Sequence, residues 1–224
     1  MESAMKHSTR RFRSPVALSL LALLIFLTGC ASTAVPTRVN YYRGDNLLDQ
    51  PKRLLVLPFL DVGGPGDAPA VQQVFGSELM KIGLYDLISI PEDELTRLEG
   101  RDVRIRGTFA LEDLVELSEQ YGADAVLIGT VTDHRPYPPL RLGLRAEMIS
   151  TRTGMVLWSA DALFDTNDRG TRHSLESYHG AKIAATDSLL DWEVLLVSMD
   201  RFTRFVCNRV VDTIHPVDAS LSRN

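Results

Sequence analysis

The sequence predicts an α/β fold: a single domain with a mixed sheet of about five strands, in the order β-α-β-α-β-β-β-α, covered by helices. Three observations carry this. Leu140, Leu142, Leu144, Ala146 and Met148 alternate with Arg141, Gly143, Arg145 and Glu147, the period of two of a strand with one wet face. Asp124 to Thr132 reads as a strand buried on both faces, and Met155 to Phe164 is a further apolar run. The turn at Thr151 to Gly154 joins the last two strands as a hairpin.

The remaining elements follow in order. Arg53 to Phe59 is a short apolar run ended by Pro58 and reads as a buried first strand. Val71, Val74, Phe75, Leu79 and Ile82 recur at helical spacing, and Gly83 ends that helix. Tyr85 to Ile90 is a second strand, stopped by Pro91. Glu92 to Leu98 suggests one or two helical turns. Leu111, Leu114, Val115 and Leu117 set up a second helix reaching Tyr121, with Gly122 as its C-cap. Asp165 to Arg172 reads as a polar loop, Leu175 to Leu189 as a helix, and Trp192 to Val197 as a short apolar run. Ser198 is placed as an N-cap. Behind it, Met199, Phe202, Phe205, Val206, Val210 and Ile214 form an apolar stripe, with Arg201, Arg204 and Arg209 off it. This terminal helix is expected to dock on the sheet.

The start of the chain carries an address. Lys6, Arg10, Arg11 and Arg13 precede the apolar run Val16 to Leu27. About a dozen residues is short for a membrane span, which needs roughly 20, so residues 1–29 read as a secretory signal peptide. Its end, Leu27-Thr-Gly-Cys30, resembles a bacterial lipobox, in which the cysteine is acylated and becomes the first mature residue. Cys30 is therefore the expected lipidation site, and several acyl chains on one residue anchor a protein stably. Ala at position 31, where Asp would resemble an inner-membrane retention signal, implies an outer-membrane destination. Residues 30–50 read as the lipidated N-terminus and a flexible tether, with Tyr41 and Tyr42 in a loosely packed linker, and 51–224 as the folded domain.

Processing before Cys30 leaves 195 residues, room for one well-packed domain. It leaves 20 basic against 28 acidic residues, a net charge of −8. That excludes a typical nucleic-acid binder and leaves membrane affinity to the lipid. Only Cys30 and Cys207 are present; with Cys30 acylated, no disulfide framework exists. Cys207 sits among apolar helix positions and is expected to be packed rather than reactive.

The chemistry-bearing motifs are absent: there is no HExxH, paired CxxC, GxSxG or kinase-like set. Gly63-Gly-Pro-Gly66 lies between a strand and a helix, but lacks the residues of a phosphate loop and reads as a turn. Of the five histidines, His173 and His179 are spaced too far apart to chelate from one helix face. Asp133-His134, at a strand end beside a proline cluster, has no nameable nucleophile. Glu112, Asp113, Glu116 and Glu119 form a solvated helix face. Arg101, Arg104 and Arg106 read as a solvated loop, with a contact surface for an acidic partner as the alternative. Neither a metal nor a cofactor is expected, and the chain is expected not to be an enzyme.

Three motifs together resemble the CsgG-like outer-membrane lipoproteins: Leu54-Leu-Val-Leu-Pro-Phe59 their first strand, Gly122-Ala-Asp-Ala-Val-Leu-Ile-Gly-Thr-Val131 a later one, and Thr153-Gly-Met-Val-Leu-Trp158 their hairpin. The resemblance covers about residues 52–165. That family includes the curli secretion channel, the Pel polysaccharide export lipoprotein and lipoproteins that activate a peptidoglycan synthase. It implies a periplasmic α/β domain, often assembled into rings, acting without catalysis in cell-envelope export or assembly, with envelope proteins or further copies of itself as partners. A monomeric regulator of a periplasmic peptidoglycan-synthesis enzyme is the alternative, and an envelope hydrolase ranks third. The segments 98–109 and 134–140 are too short to supply two membrane-crossing hairpins, whose strands need about 9–11 residues each, so a self-made pore is not expected.

Overall fold

A computed structural model describes residues 39–44, 51–62, 67–90, 111–183 and 191–214. The signal peptide, Cys30, the Gly63–Gly66 turn, the helical turns expected at 92–98 and the arginines at 101, 104 and 106 lie outside them.

The described residues build a mixed, open sheet of seven strands. The strands are β1 (Asn40–Arg43), β2 (Arg53–Val56), β3 (Leu60–Asp61), β4 (Asp86–Ser89), β5 (Ala125–Arg135), β6 (Arg141–Ser150) and β7 (Val156–Asp165). Their order across the sheet is β1-β7-β6-β5-β2-β4, with β3 also pairing β5. β2 runs parallel to both β4 and β5, whereas β5, β6, β7 and β1 are antiparallel neighbours. The expected α/β class and central three-stranded meander are present, with two strands more than expected.

Both additions have physical reasons. Pro58 cannot donate to a ladder, so the expected run 53–59 divides. β2 ends at Val56 and the chain rejoins β5 as β3. The gap stays satisfied: Leu57 N–H donates to Leu127 O at 3.0 Å, and Phe59 N–H to Gln72 Oε1 at 3.0 Å. The other addition corrects the expected tether. Asn40–Arg43 is not loose linker but strand β1, antiparallel to β7 with Tyr41 opposite Ala160. Tyr41 and Tyr42 keep 59% and 55% of their surface exposed; the strand is held by backbone pairing along an otherwise open edge.

The described residues also form four α-helices: α1 (Ala68–Ile82), α2 (Leu111–Tyr121), α3 (Arg169–Tyr178) and α4 (Met199–Val211). α1 starts where the Asp67 carboxylate accepts Ala70 N–H and Pro69 occupies the first turn; it stops at Gly83, whose φ of 71° is left-handed. α3 starts at Arg169 rather than near 175. Asp168 caps it by accepting Thr171 N–H at 2.8 Å, a signal hidden in a segment read as loop. It runs into a π-turn at His179–Ile183. Trp192–Leu196 is a 3-10 turn, and α4 follows Ser198. Ser198 holds the N-cap position but makes no side-chain capping hydrogen bond.

The main core lies between α1, α3 and α4 and one face of the sheet. It includes Leu142, Leu144, Ala146 and Met148 from β6 and Trp158 and Phe164 from β7; Phe75, Leu79, Leu175, Phe202, Phe205 and Val206 come from the helices. Each such large apolar side chain contributes about 1.5–3 kcal/mol on leaving water. The Phe164 and Phe205 rings meet edge to face at 5.1 Å. A smaller cluster on the opposite face gathers Leu55, Leu57, Val126 and Ile149 with Tyr121 at the end of α2.

Candidate functional site

The start of the second motif meets the residues that immediately precede the first and third motifs at one corner of the sheet. The Asp124 carboxylate accepts the backbone N–H groups of Lys52 and Arg53, each at 2.9 Å, and Asp124 N–H donates to Arg53 O at 2.8 Å. Thr151, in the hairpin turn, donates its hydroxyl to Ala123 O at 2.8 Å and its N–H to Asp124 O at 3.1 Å. Gly122 has φ of 61° and lies against the Arg53 guanidinium, where a Cβ would come within 2.4 Å of Nη1; that guanidinium donates to Tyr121 O at 3.0 Å. The residues of this corner are therefore joints: they start β2 and β5 in register and tie the β6–β7 turn to them. Trp158, from the third motif, is buried and donates its indole N–H to Thr213 Oγ1 at 3.1 Å, beyond the end of α4.

Asp133 and His134 do not form an acid–base pair. Asp133 is bound to Arg141 at 2.9 Å across the β5–β6 ladder, and His134 Nδ1 is buried without a hydrogen-bond partner. His173 lies exposed on α3 and His179 opens the π-turn. Glu119 is exposed on α2. Cys207 is fully buried on α4, its thiol 3.9 Å from Val71 O. Burial, with Glu78 nearby, pushes the thiol well above its ordinary range, so it is packed and unreactive as expected. Among the described residues no group of three His, Cys, Asp or Glu is placed to hold a metal ion, and no helix is long and apolar enough to cross a membrane.

A second polar feature is a cleft of about 520 Å³ between α1, the end of α3 with its π-turn, and α4. Its floor is Glu78, 3% exposed, whose carboxylate is bound by Lys81 Nζ on one oxygen and by Asn208 Nδ2 at 3.3 Å on the other. Tyr178 and Lys182 come from the α3 side and Asp200, Arg201 and Arg204 from α4. Burial first, then the nearby Glu78 carboxylate, push the Tyr178 hydroxyl up to about 12 against the opposing pull of Arg204, so it stays a protonated donor. Burial also raises the Asp212 carboxyl beside the cleft, opposed by Lys182 and Arg209. None of the motifs singled out in the sequence leads to this cleft. The available signal was a charged residue at helical spacing with the buried stripe of α1, Glu78 falling four after Val74 and seven after Val71.

No protein-family model and no curated protein matches the chain. Solved structures resemble it at low identity. The PelC dodecamer from Paraburkholderia phytofirmans is 18% identical, with a TM-score of 0.41 covering 59% of this chain and 85% of that one. Lipoprotein GNA1162 from Neisseria meningitidis is 23% identical, with a TM-score of 0.39 covering 62% and 100%. The LpoB C-terminal domain from Escherichia coli is 15% identical, with a TM-score of 0.38 covering 54% and 86%. Likeness at this level transfers neither residue roles nor partners.

Proposed function

We propose that the chain is a membrane-tethered periplasmic lipoprotein, anchored through acylated Cys30, that serves without catalysis as an accessory subunit of a cell-envelope export or assembly system. The observation that supports the reading is the corner where Asp124, of the second lipoprotein-like motif, is joined to Arg53 and Thr151, which stand one and two residues before the first and third motifs. The residues of this corner act as architecture, which suits a scaffold rather than a reaction centre.

Strand β1 adds a mechanical consequence. It begins at Asn40, ten residues after Cys30, and ten residues reach at most about 36 Å when fully extended. A tether running to residue 50 would reach about twice as far. The domain is thus leashed close to the membrane, and its partners are envelope components near that surface.

A second reading is favoured by the edges of the sheet. Both β1 and β4 are four-residue strands, and short edge strands limit pairing with another sheet. This favours a monomeric lipoprotein regulator that binds a periplasmic peptidoglycan-synthesis enzyme. Crosslinking in intact cells, followed by isolation of the acylated chain in detergent, tests the proposal and separates the two. Self-crosslinked rings or clusters support the accessory subunit, and a one-to-one product with an envelope enzyme supports the regulator. A chain that crosslinks to no envelope component overturns both.

A further inference from the structure

The cleft between α1, α3 and α4 concentrates positive charge in an acidic protein. Its lining carries Lys81, Lys182, Arg201 and Arg204 against Glu78 and Asp200, a local balance of +2 in a chain whose net charge is −5. Lys81 is already neutralised by Glu78. Among the described residues no carboxylate lies within ion-pair distance of Lys182, Arg201 or Arg204. Asp200 lines the same cleft and Asp212 lies beside it, where Lys182 and Arg209 act on its carboxyl; the cations around the hollow are thus balanced in part, and the remaining surplus favours a bound anion.

The geometry suits such a ligand. Arg201 and Arg204 are three residues apart on α4, so both guanidinium groups leave the same face of the helix. Lys182 comes from the π-turn and the Tyr178 hydroxyl from the end of α3. The floor is preset, because both oxygens of Glu78 are taken by Lys81 and Asn208, so the buried carboxylate calls for no further cation. Guanidinium forks match the oxygens of phosphate and carboxylate groups, and an ammonium adds a point charge. The volume of about 520 Å³ lies in the range of small-ligand sites.

We propose that this cleft binds a phosphate group as its dianion, with Lys182, Arg201 and Arg204 as its charged ligands and the Tyr178 hydroxyl as a further donor. A phosphate dianion matches the local +2 of the lining in one compact group. The group arrives either as free phosphate or as the head of an anionic lipid beside the membrane.

The test is calorimetric titration of the full acylated chain in neutral detergent at low salt. The probes are inorganic phosphate, short-chain phosphatidic acid in the same detergent, and malonate. Saturable phosphate binding, weakened by added salt and weakened about tenfold or more by the Arg201→Ala/Arg204→Ala double substitution, is expected. The exposed control Arg135→Ala leaves it unchanged. Asp200→Asn removes the carboxylate opposing the ligand and is expected to tighten binding, a gain that a misfolded variant could not give. Binding of phosphatidic acid without binding of inorganic phosphate assigns the site to a lipid headgroup, and binding of both assigns it to phosphate in either form. Absence of binding for both phosphate probes, malonate binding more tightly than either, or affinity unmoved by the double substitution overturns the proposal.

Discussion

Asp124 and Arg53 hold one another reciprocally: the Asp124 carboxylate accepts Arg53 N–H at 2.9 Å while Asp124 N–H donates to Arg53 O at 2.8 Å. The same carboxylate oxygen also accepts Lys52 N–H at 2.9 Å. One side chain thus sets the parallel register of β2 against β5, 71 residues apart in sequence. Hydrogen bonds to a charged acceptor stabilise more than neutral ones, with a discount here because the corner is exposed to solvent. Asp124→Ala is expected to cost about 1–2 kcal/mol. In urea denaturation the midpoint should fall with the slope unchanged; an unmoved midpoint would show that the joint adds nothing.

Gly129 and Gly76 make a paired prediction. A Cβ at Gly129, in β5, would lie 2.3 Å from the Phe59 ring, whereas one at Gly76, in α1, meets nothing within 4 Å. Gly129→Ala forces the ring to move and is expected to destabilise by about 1–3 kcal/mol. Gly76→Ala gains helix propensity and is expected to stabilise by about 0.5–1 kcal/mol. Thermal melts of the two variants should therefore shift in opposite directions; shifts of the same sign would refute the packing at Phe59.

How far the fold could be read from the sequence follows the strength of local pattern. The alternation from Leu140 to Met148 showed directly which side chains enter the core, and all five apolar members are at most 2% exposed. The stripe of α4 was equally plain. Strand β1 was not, because Asn40-Tyr-Tyr-Arg43 has no apolar alternation; the free edge of β7 that recruits it lies more than a hundred residues away. The start of α3 was hidden because its first turns are polar, leaving Leu175 as its fully buried apolar anchor. The cleft was the least legible. Its floor joins Glu78 to Asn208 across 130 residues, and each side chain looked like an ordinary helix-surface polar group until the helices packed.

Phe202 and Phe205 are both fully buried on α4, and Phe205 meets Phe164 at 5.1 Å and Tyr178 at 5.4 Å. Truncation of either to Ala is expected to cost about 3–5 kcal/mol, a large share of a domain's stability. If chemical denaturation finds both variants within about 0.5 kcal/mol of wild type, the helix is not docked as described.

Tyr178 links stability to alkaline pH. Its hydroxyl is raised from 10.0 to about 12 by burial, so the folded state holds the proton where the unfolded chain has released it. This contribution is fully present below the unfolded value and is lost as pH rises through the folded one. Stability should fall between pH 10 and about 12, and Tyr178→Phe should fall less steeply over the same window. Parallel curves for the two proteins, measured by denaturation at stepped pH, would show that Tyr178 is not desolvated in the fold.

The anchor at Cys30 is the central claim, and intact-mass spectrometry of the chain isolated from envelope membranes tests it most directly. The account predicts a mature N-terminus at Cys30 bearing acyl chains, and loss of both the added mass and the membrane association in Cys30→Ser. An unmodified mature N-terminus, or a Cys30→Ser chain that is processed and retained at the membrane as before, would contradict it.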